Sequence, residues 1–165
     1  MSDLEKKIQY LSDLEEIRML KYRYCHYNDG GWQGQPLSHQ GPSADLFTAD
    51  GIWDGSPVVK AVGREEVRAL FAKFAEQPVA YHAVMNPIIE IDGDRARAHW
   101  HLIGCGLAIN GTSSLGIAAY EDEYERTPEG WRIKVMKVIW GRRSVLPDNW
   151  QEATPVLPLP GATTP

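Results

Sequence analysis

Four long apolar segments limit this chain more than any other feature. Residues 79–91, 95–109, 112–126 and 131–143 each alternate or run apolar, and a turn signal separates every pair. The signals are Asp92-Gly93-Asp94, Asn110-Gly111 and Pro128-Glu129-Gly130. Asp-Gly and Asn-Gly are the dipeptides that tight hairpins favour, because both tolerate positive φ. The pattern predicts a four-stranded antiparallel meander. Strands of this length twist and curl, so the sheet presents a concave face that a helix can cover.

The N-terminal half has a helical period instead. Leu4, Ile8 and Leu11 begin an apolar stripe that Leu14, Ile17, Leu20, Tyr24 and Tyr27 continue. Ser12-Asp13-Leu14-Glu15 fits a capping box, which predicts a short leading helix giving way to a main one. Asp29-Gly30-Gly31 should end that helix with a left-handed cap. Residues 31–43 read as a surface loop and 43–47 as a short helix. Ile52-Trp53 and residues 58–62 read as two short strands. A second amphipathic helix follows at 63–76, with Val67, Leu70, Phe71 and Phe74 on one face. The expected architecture is α+β: one curved antiparallel sheet covered by N-terminal helices. Residues 1–147 form a single domain in this reading, and the Pro-rich residues 148–165 form a C-terminal arm.

Composition narrows the function classes. The chain has 165 residues, 43% of them hydrophobic, enough for a sizeable core. A net charge of -5 and a pI near 5.5 argue against nucleic-acid and anionic-membrane partners. No apolar run is long enough to span a bilayer and no signal region opens the chain, so a soluble cytoplasmic protein is expected. Cys25 and Cys105 read as small buried hydrophobes rather than a disulfide framework.

Two residues carry the chemical argument. His82 sits among apolar neighbours near a strand start, and alternation places it on one face with Val84 and Asn86. Imidazole titrates near neutrality, so in a pocket it can take a proton and return it. Asp29 ends a helix, where the macrodipole favours cations, so it calls for a compensating partner. A facing imidazole would supply one, although Asp-Gly-Gly is also ordinary turn chemistry. Tyr24 lies on the apolar face, about 140° from Asp29 on an ideal helix, and reads as core or as a phenol donor. Tyr22, Tyr27 and Asn28 compete for the donor role. Of Arg142 and Arg143, alternation sends one inward and one outward. Trp53, Met85, Trp100 and Tyr120 are candidate walls of a substrate pocket. His99 and His101 share a strand face without an evident third or fourth ligand, so no metal is expected. His26 and His39 read as surface or loop residues. With no Walker loop, GxGxxG or GxSxG elbow, no cofactor is expected.

The order of elements resembles the SnoaL-like branch of the nuclear-transport-factor-2-like (cystatin-like) superfamily, which includes scytalone dehydratase, bile acid 7α-dehydratase and hexachlorocyclohexane dehydrochlorinase. The resemblance covers most of residues 1–145. It is strongest at Leu4-Glu5-Lys6-Lys7-Ile8-Gln9, at Arg23-Tyr24 through Asp29, at His82 with Asn86-Pro87, and over residues 120–131. It implies a cone-shaped domain and cofactor-free elimination by an Asp–His pair, with Asp29 matching the carboxylate, His82 the imidazole and Tyr24 a tyrosine. Arg142 resembles an arginine of the pattern but falls two residues late counted from Trp131. A second polar residue often found on the second meander strand falls here on Gly104 or Gly106, and residues 33–40 lengthen a loop at the mouth. The resemblance also implies a homo-oligomer, a trimer ahead of a dimer.

The expected function is a cofactor-independent lyase, a dehydratase-type elimination on a small hydrophobic, aromatic or polycyclic substrate. The alternatives are a carbon–carbon lyase releasing a small aldehyde, an isomerase or cyclase in the same pocket, and a non-catalytic ligand-binding module.

Overall fold

The computed structural model describes residues 2–30, 39, 41–108 and 110–147. The expected arm at 148–165 lies outside them. Helix α1 (Asp3–Asn28) runs unbroken, so the break expected near Ser12 does not occur. The capping box sits at Ser2 and Glu5 instead, where each side chain satisfies the other's backbone N–H. Ser12 and Asp13 turn to other tasks. Asp13 accepts from Trp131 Nε1 at 3.1 Å and Gln9 Nε2 at 3.0 Å, and pairs with Arg126 at 2.6 Å. These contacts tie the middle of α1 to the sheet. The N-terminal turns project beyond it, leaving Leu4, Ile8 and Leu11 exposed.

A 3₁₀ turn (Ser43–Leu46) leads to β1 (Phe47–Gly55) and β2 (Val59–Val62), and then to helix α2 (Arg64–Phe74). The meander follows as β3 (Val79–Asp92), β4 (Arg95–Leu107), β5 (Ser113–Thr127) and β6 (Gly130–Val145). Gly93, Gly111 and Gly130 in its three turns all take positive φ, as hairpin chemistry requires. The sheet order is β2-β1-β6-β5-β4-β3. It is mixed rather than wholly antiparallel, because β1 pairs parallel to β6.

The buried stripe of α1 is Asp13, Ile17, Leu20, Lys21, Tyr24, Cys25 and Asn28, at spacings of one, three and four. It packs on the concave face with Val67 and Phe71 of α2 against Trp100, Tyr124, Ile133 and Met136 of the sheet. Trp100, expected as a pocket wall, is fully buried in this core and meets Tyr22 edge-on at 6.2 Å. It does not border the cavity.

Two bulges change which side chains point inward. Asn86 adopts φ 54°, and the β3–β4 register shifts between Met85 and Ile88. The bulge ends the alternation that would have grouped Asn86 with His82. Asn86 Nδ2 reaches His101 Nδ1 at 3.2 Å on the outer face. Met85 is paired with His101 and shares that outer face, so it is not a pocket wall. On β6 the register against β5 shifts at Gly141, where any side chain would collide with the Ile117 carbonyl oxygen.

Candidate active site

A cavity of about 370 Å³ opens between the concave sheet and the ends of the helices. That volume suits a small ring system. Tyr24, Trp53, His82, Tyr120 and Arg142 line it, as does His39.

Asp29 reaches His82 through backbone geometry. The helix ends at Asn28 and Asp29 is extended, with φ −77° and ψ 145°, rather than left-handed. Gly30 then pairs with Ala80 as an isolated antiparallel bridge, with N–H···O distances of 3.0 and 3.2 Å. This bridge sets the Asp29 carboxylate beside His82, two residues further along β3. Asp29 Oδ1 accepts from the His82 backbone N–H at 2.9 Å and lies 2.7 Å from His82 Nδ1. A carboxylate only accepts, so this contact favours a proton on Nδ1, and in the neutral ring of that tautomer Nε2 is the acceptor. Both side chains are mostly buried, at 15% and 19% exposure, yet His82 faces the cavity. The extended conformation of Asp29 also explains how it and Tyr24 both reach His82 despite their angular offset on a helix.

Tyr24 is buried, and its hydroxyl oxygen accepts from Trp53 Nε1 at 3.1 Å. Its ring stands 6.3 Å from that of His82 and 6.2 Å from that of Tyr120. Burial pushes the Tyr24 phenol well above its ordinary range, so it stays protonated. Burial likewise raises the Cys25 thiol to about 12, which keeps that side chain an inert thiol.

The arginines at the end of β6 are sorted by the Gly141 bulge. Arg142 pairs with Ile117 in the row of outward-facing residues, whereas Arg143 pairs with Gly116 in the row that includes Tyr120. Arg143 donates to Ser114 Oγ at 2.9 Å. Both arginines border the cavity, but the inner register belongs to Arg143. Alternation leaves open which arginine turns inward and the resemblance favours Arg142, but the extra residue in the strand gives that register to Arg143.

His39 is the site residue that the sequence reading missed. Taken as a loop or surface side chain, it is half-buried on the cavity wall facing His82, with ring centroids 6.3 Å apart. Its only sequence signal is an imidazole in a loop that follows Asp29.

A second charge pair lies behind the cavity. Lys21 Nζ and Asp122 Oδ2 are 2.9 Å apart, both fully buried. Tyr124 donates to the same oxygen at 2.8 Å, and Lys21 Nζ lies 3.3 Å from the centre of the Tyr120 ring. Burial lowers the Lys21 ammonium and raises the Asp122 carboxyl, each opposed by the partner's charge.

With this geometry in hand, the SnoaL-like domain family matches residues 9–137. The chain belongs to the SnoaL-like family. Several solved structures resemble it in fold. One is a proposed aromatic ring hydroxylase from Novosphingobium aromaticivorans, 26% identical, with a TM-score of 0.73 over 84% of this chain and 96% of that one. Another, from the same organism, is an NTF2-like protein with a cystatin-like fold, 26% identical, with a TM-score of 0.66 over 84% of this chain and 88% of that one. A type 2 hexachlorocyclohexane dehydrochlorinase (LinA) aligns over 98% of this chain and all of its own length, at 20% identity and a TM-score of 0.72. At that identity the likeness concerns the fold alone. No curated protein sequence gives a significant match. Among the described residues no helix is long and apolar enough to cross a membrane.

Proposed function

We propose that this SnoaL-like protein is a cofactor-independent lyase that eliminates water from a small hydrophobic ring compound. The observation that carries the reading is the 2.7 Å contact between Asp29 and His82 at the wall of an apolar cavity. Asp29 holds the imidazole in one tautomer and stabilises the imidazolium that forms. His82 Nε2 removes a proton from carbon next to a carbonyl or activated ring. The electrons of that C–H bond become a double bond as the neighbouring C–O bond breaks. The departing hydroxide takes a proton from the imidazolium and leaves as water, which restores neutral His82. Tyr24, protonated and buried, supports charge on the substrate oxygen. Trp53 and Tyr120 supply apolar walls. General acid–base help of this kind contributes about 10²–10⁴ in rate. The elimination catalysed by the dehydrochlorinase, on the same fold, is chemistry of the same class.

Incubation of the protein with hydroxylated aromatic and alicyclic ketones, followed by product mass, tests the reading. Loss of the elements of water should be seen, and it should vanish in His82→Ala. Unchanged turnover in a folded His82→Ala variant would remove the mechanism, and saturable binding without any mass change would leave a binding module. Solvent deuterium incorporation without mass loss would instead mark an isomerase.

The outer sheet face presents Tyr81, Ile103, Leu115, Ile117 and Ile139, all more than one-third exposed. This apolar surface supports a homo-oligomer, which we take to be a trimer. Light scattering of the purified protein gives the stoichiometry directly.

A further inference from the structure

His39 is held more firmly than a loop side chain would be. Its backbone N–H donates to the Asn28 carbonyl at 3.0 Å, next to the helix end that delivers Asp29. It takes φ 60°, a conformation that few residues other than glycine and asparagine adopt freely. The ring packs against Phe74 at 5.4 Å and Phe71 at 6.4 Å, both on α2. It stands edge-on at 88° to the His82 ring, and both rings border the cavity. Nδ1 of His39 is buried and has no hydrogen-bond partner among the described residues. Leaving such an atom unsatisfied costs roughly 1–3 kcal/mol. On the sheet side, Gly104 and Gly106 bring no polar side chain to the wall they line. The cavity is therefore bordered by an imidazole whose buried nitrogen is unused.

We propose that His39 is a ligand-binding residue, whose ring turns to bring Nδ1 to an oxygen of a molecule seated against His82. The inference rests on the reading that the cavity takes a small oxygenated ring compound. It adds a division of labour, with His82 at the reacting carbon and His39 at an oxygen. Burial, and then the neighbouring His82, lower the His39 imidazole to about 3, so it serves as a neutral hydrogen-bonding group rather than a cation. A neutral ring both donates and accepts, so it can hold a hydroxyl or a carbonyl.

The test compares 2-naphthol with naphthalene, two probes of nearly equal shape that differ by one hydroxyl. Binding is read by quenching of tryptophan fluorescence in the full chain. The wild type should prefer 2-naphthol, and His39→Phe should reduce that preference roughly 3–10-fold while naphthalene binding changes little. His39→Asn, which tolerates the backbone conformation and retains a polar group, should keep part of the preference. If His39→Phe does not fold, the wild type still decides. With ¹⁵N-labelled histidine, the His39 Nδ1 resonance should move on adding 2-naphthol and stay put with naphthalene. Equal loss of both probes in the variants, an unmoved His39 resonance, or no hydroxyl preference in the wild type would overturn the proposal. None of these readouts depends on turnover. Failure of the lyase reading, seen as retained product formation without His82, is thereby distinguished from failure of this one.

Discussion

Two of the acid–base pairs that join α1 and its C-cap to the sheet could hardly be less alike. His82 borders the cavity with Asp29 bonded to it, each with some exposure, and the imidazole keeps a nitrogen free of the carboxylate. Lys21 and Asp122 lie sealed in the core, with Tyr124 sharing the carboxylate and the Tyr120 ring stacked on the ammonium. The first pair is placed where a proton can come and go. The second has no such access, and what it does is fix the position of the aromatic residues behind the cavity. Burial alone therefore does not make an acid–base pair chemical; a free site facing a cavity does.

The sharpest way to break this contrast is to damage each pair in turn. Asp29→Asn should lower turnover by about 10²–10⁴, because an amide can donate to Nδ1 and so favour the wrong tautomer. Its thermal stability should change far less, which steady-state kinetics beside a melting curve will show. Lys21→Ala should do the reverse. It leaves Asp122 buried without a counter-charge, and breaking a buried pair in this way costs roughly 3–5 kcal/mol. Denaturant unfolding measures that loss. The paired replacement Lys21→Met with Asp122→Leu should recover most of it, because well-packed apolar residues often replace a buried ion pair at little cost.

A smaller effect should come from Trp53→Phe, which removes the donor to the Tyr24 hydroxyl and should cost about 0.5–1.5 kcal/mol. The last concerns pH. His39 is neutral in the fold down to about 3, whereas an unfolded histidine gains its proton near 6.5. Between those values the unfolded chain binds the extra proton, so His39 makes stability fall as pH falls through this window. His39→Asn should flatten the acid side of the stability profile between pH 6 and 4, relative to wild type, in urea titrations at several values.

Much of this fold can be read from the chain. The meander boundaries follow from three turn signals and alternating apolarity, and both helices lie close to where their periodicity puts them. What misleads is any place where one residue alters parity. Gly141 adds a residue to β6 and exchanges the faces of Arg142 and Arg143. Asn86 does the same on β3 and turns its own amide outward. Met85 was misjudged more simply, since strand alternation already separates it from His82. Lys21 directly follows Leu20 of the stripe, and only its pairing with Asp122 on the facing sheet reveals its burial. On the candidate site, the helix end at Asp29 and the apolar setting of His82 are visible locally, whereas the Gly30–Ala80 bridge that joins them is a long-range contact. His39 carries no periodic signal at all, because a loop places it.

The most direct test of the central claim is the protonation pattern of His82 itself, read by long-range ¹⁵N–¹H correlation of labelled histidine near neutral pH. A neutral ring with its proton on Nδ1, shifting toward the other tautomer in Asp29→Asn, is the expected result. A proton resting on Nε2 in the wild type, indifferent to Asp29, would contradict the account.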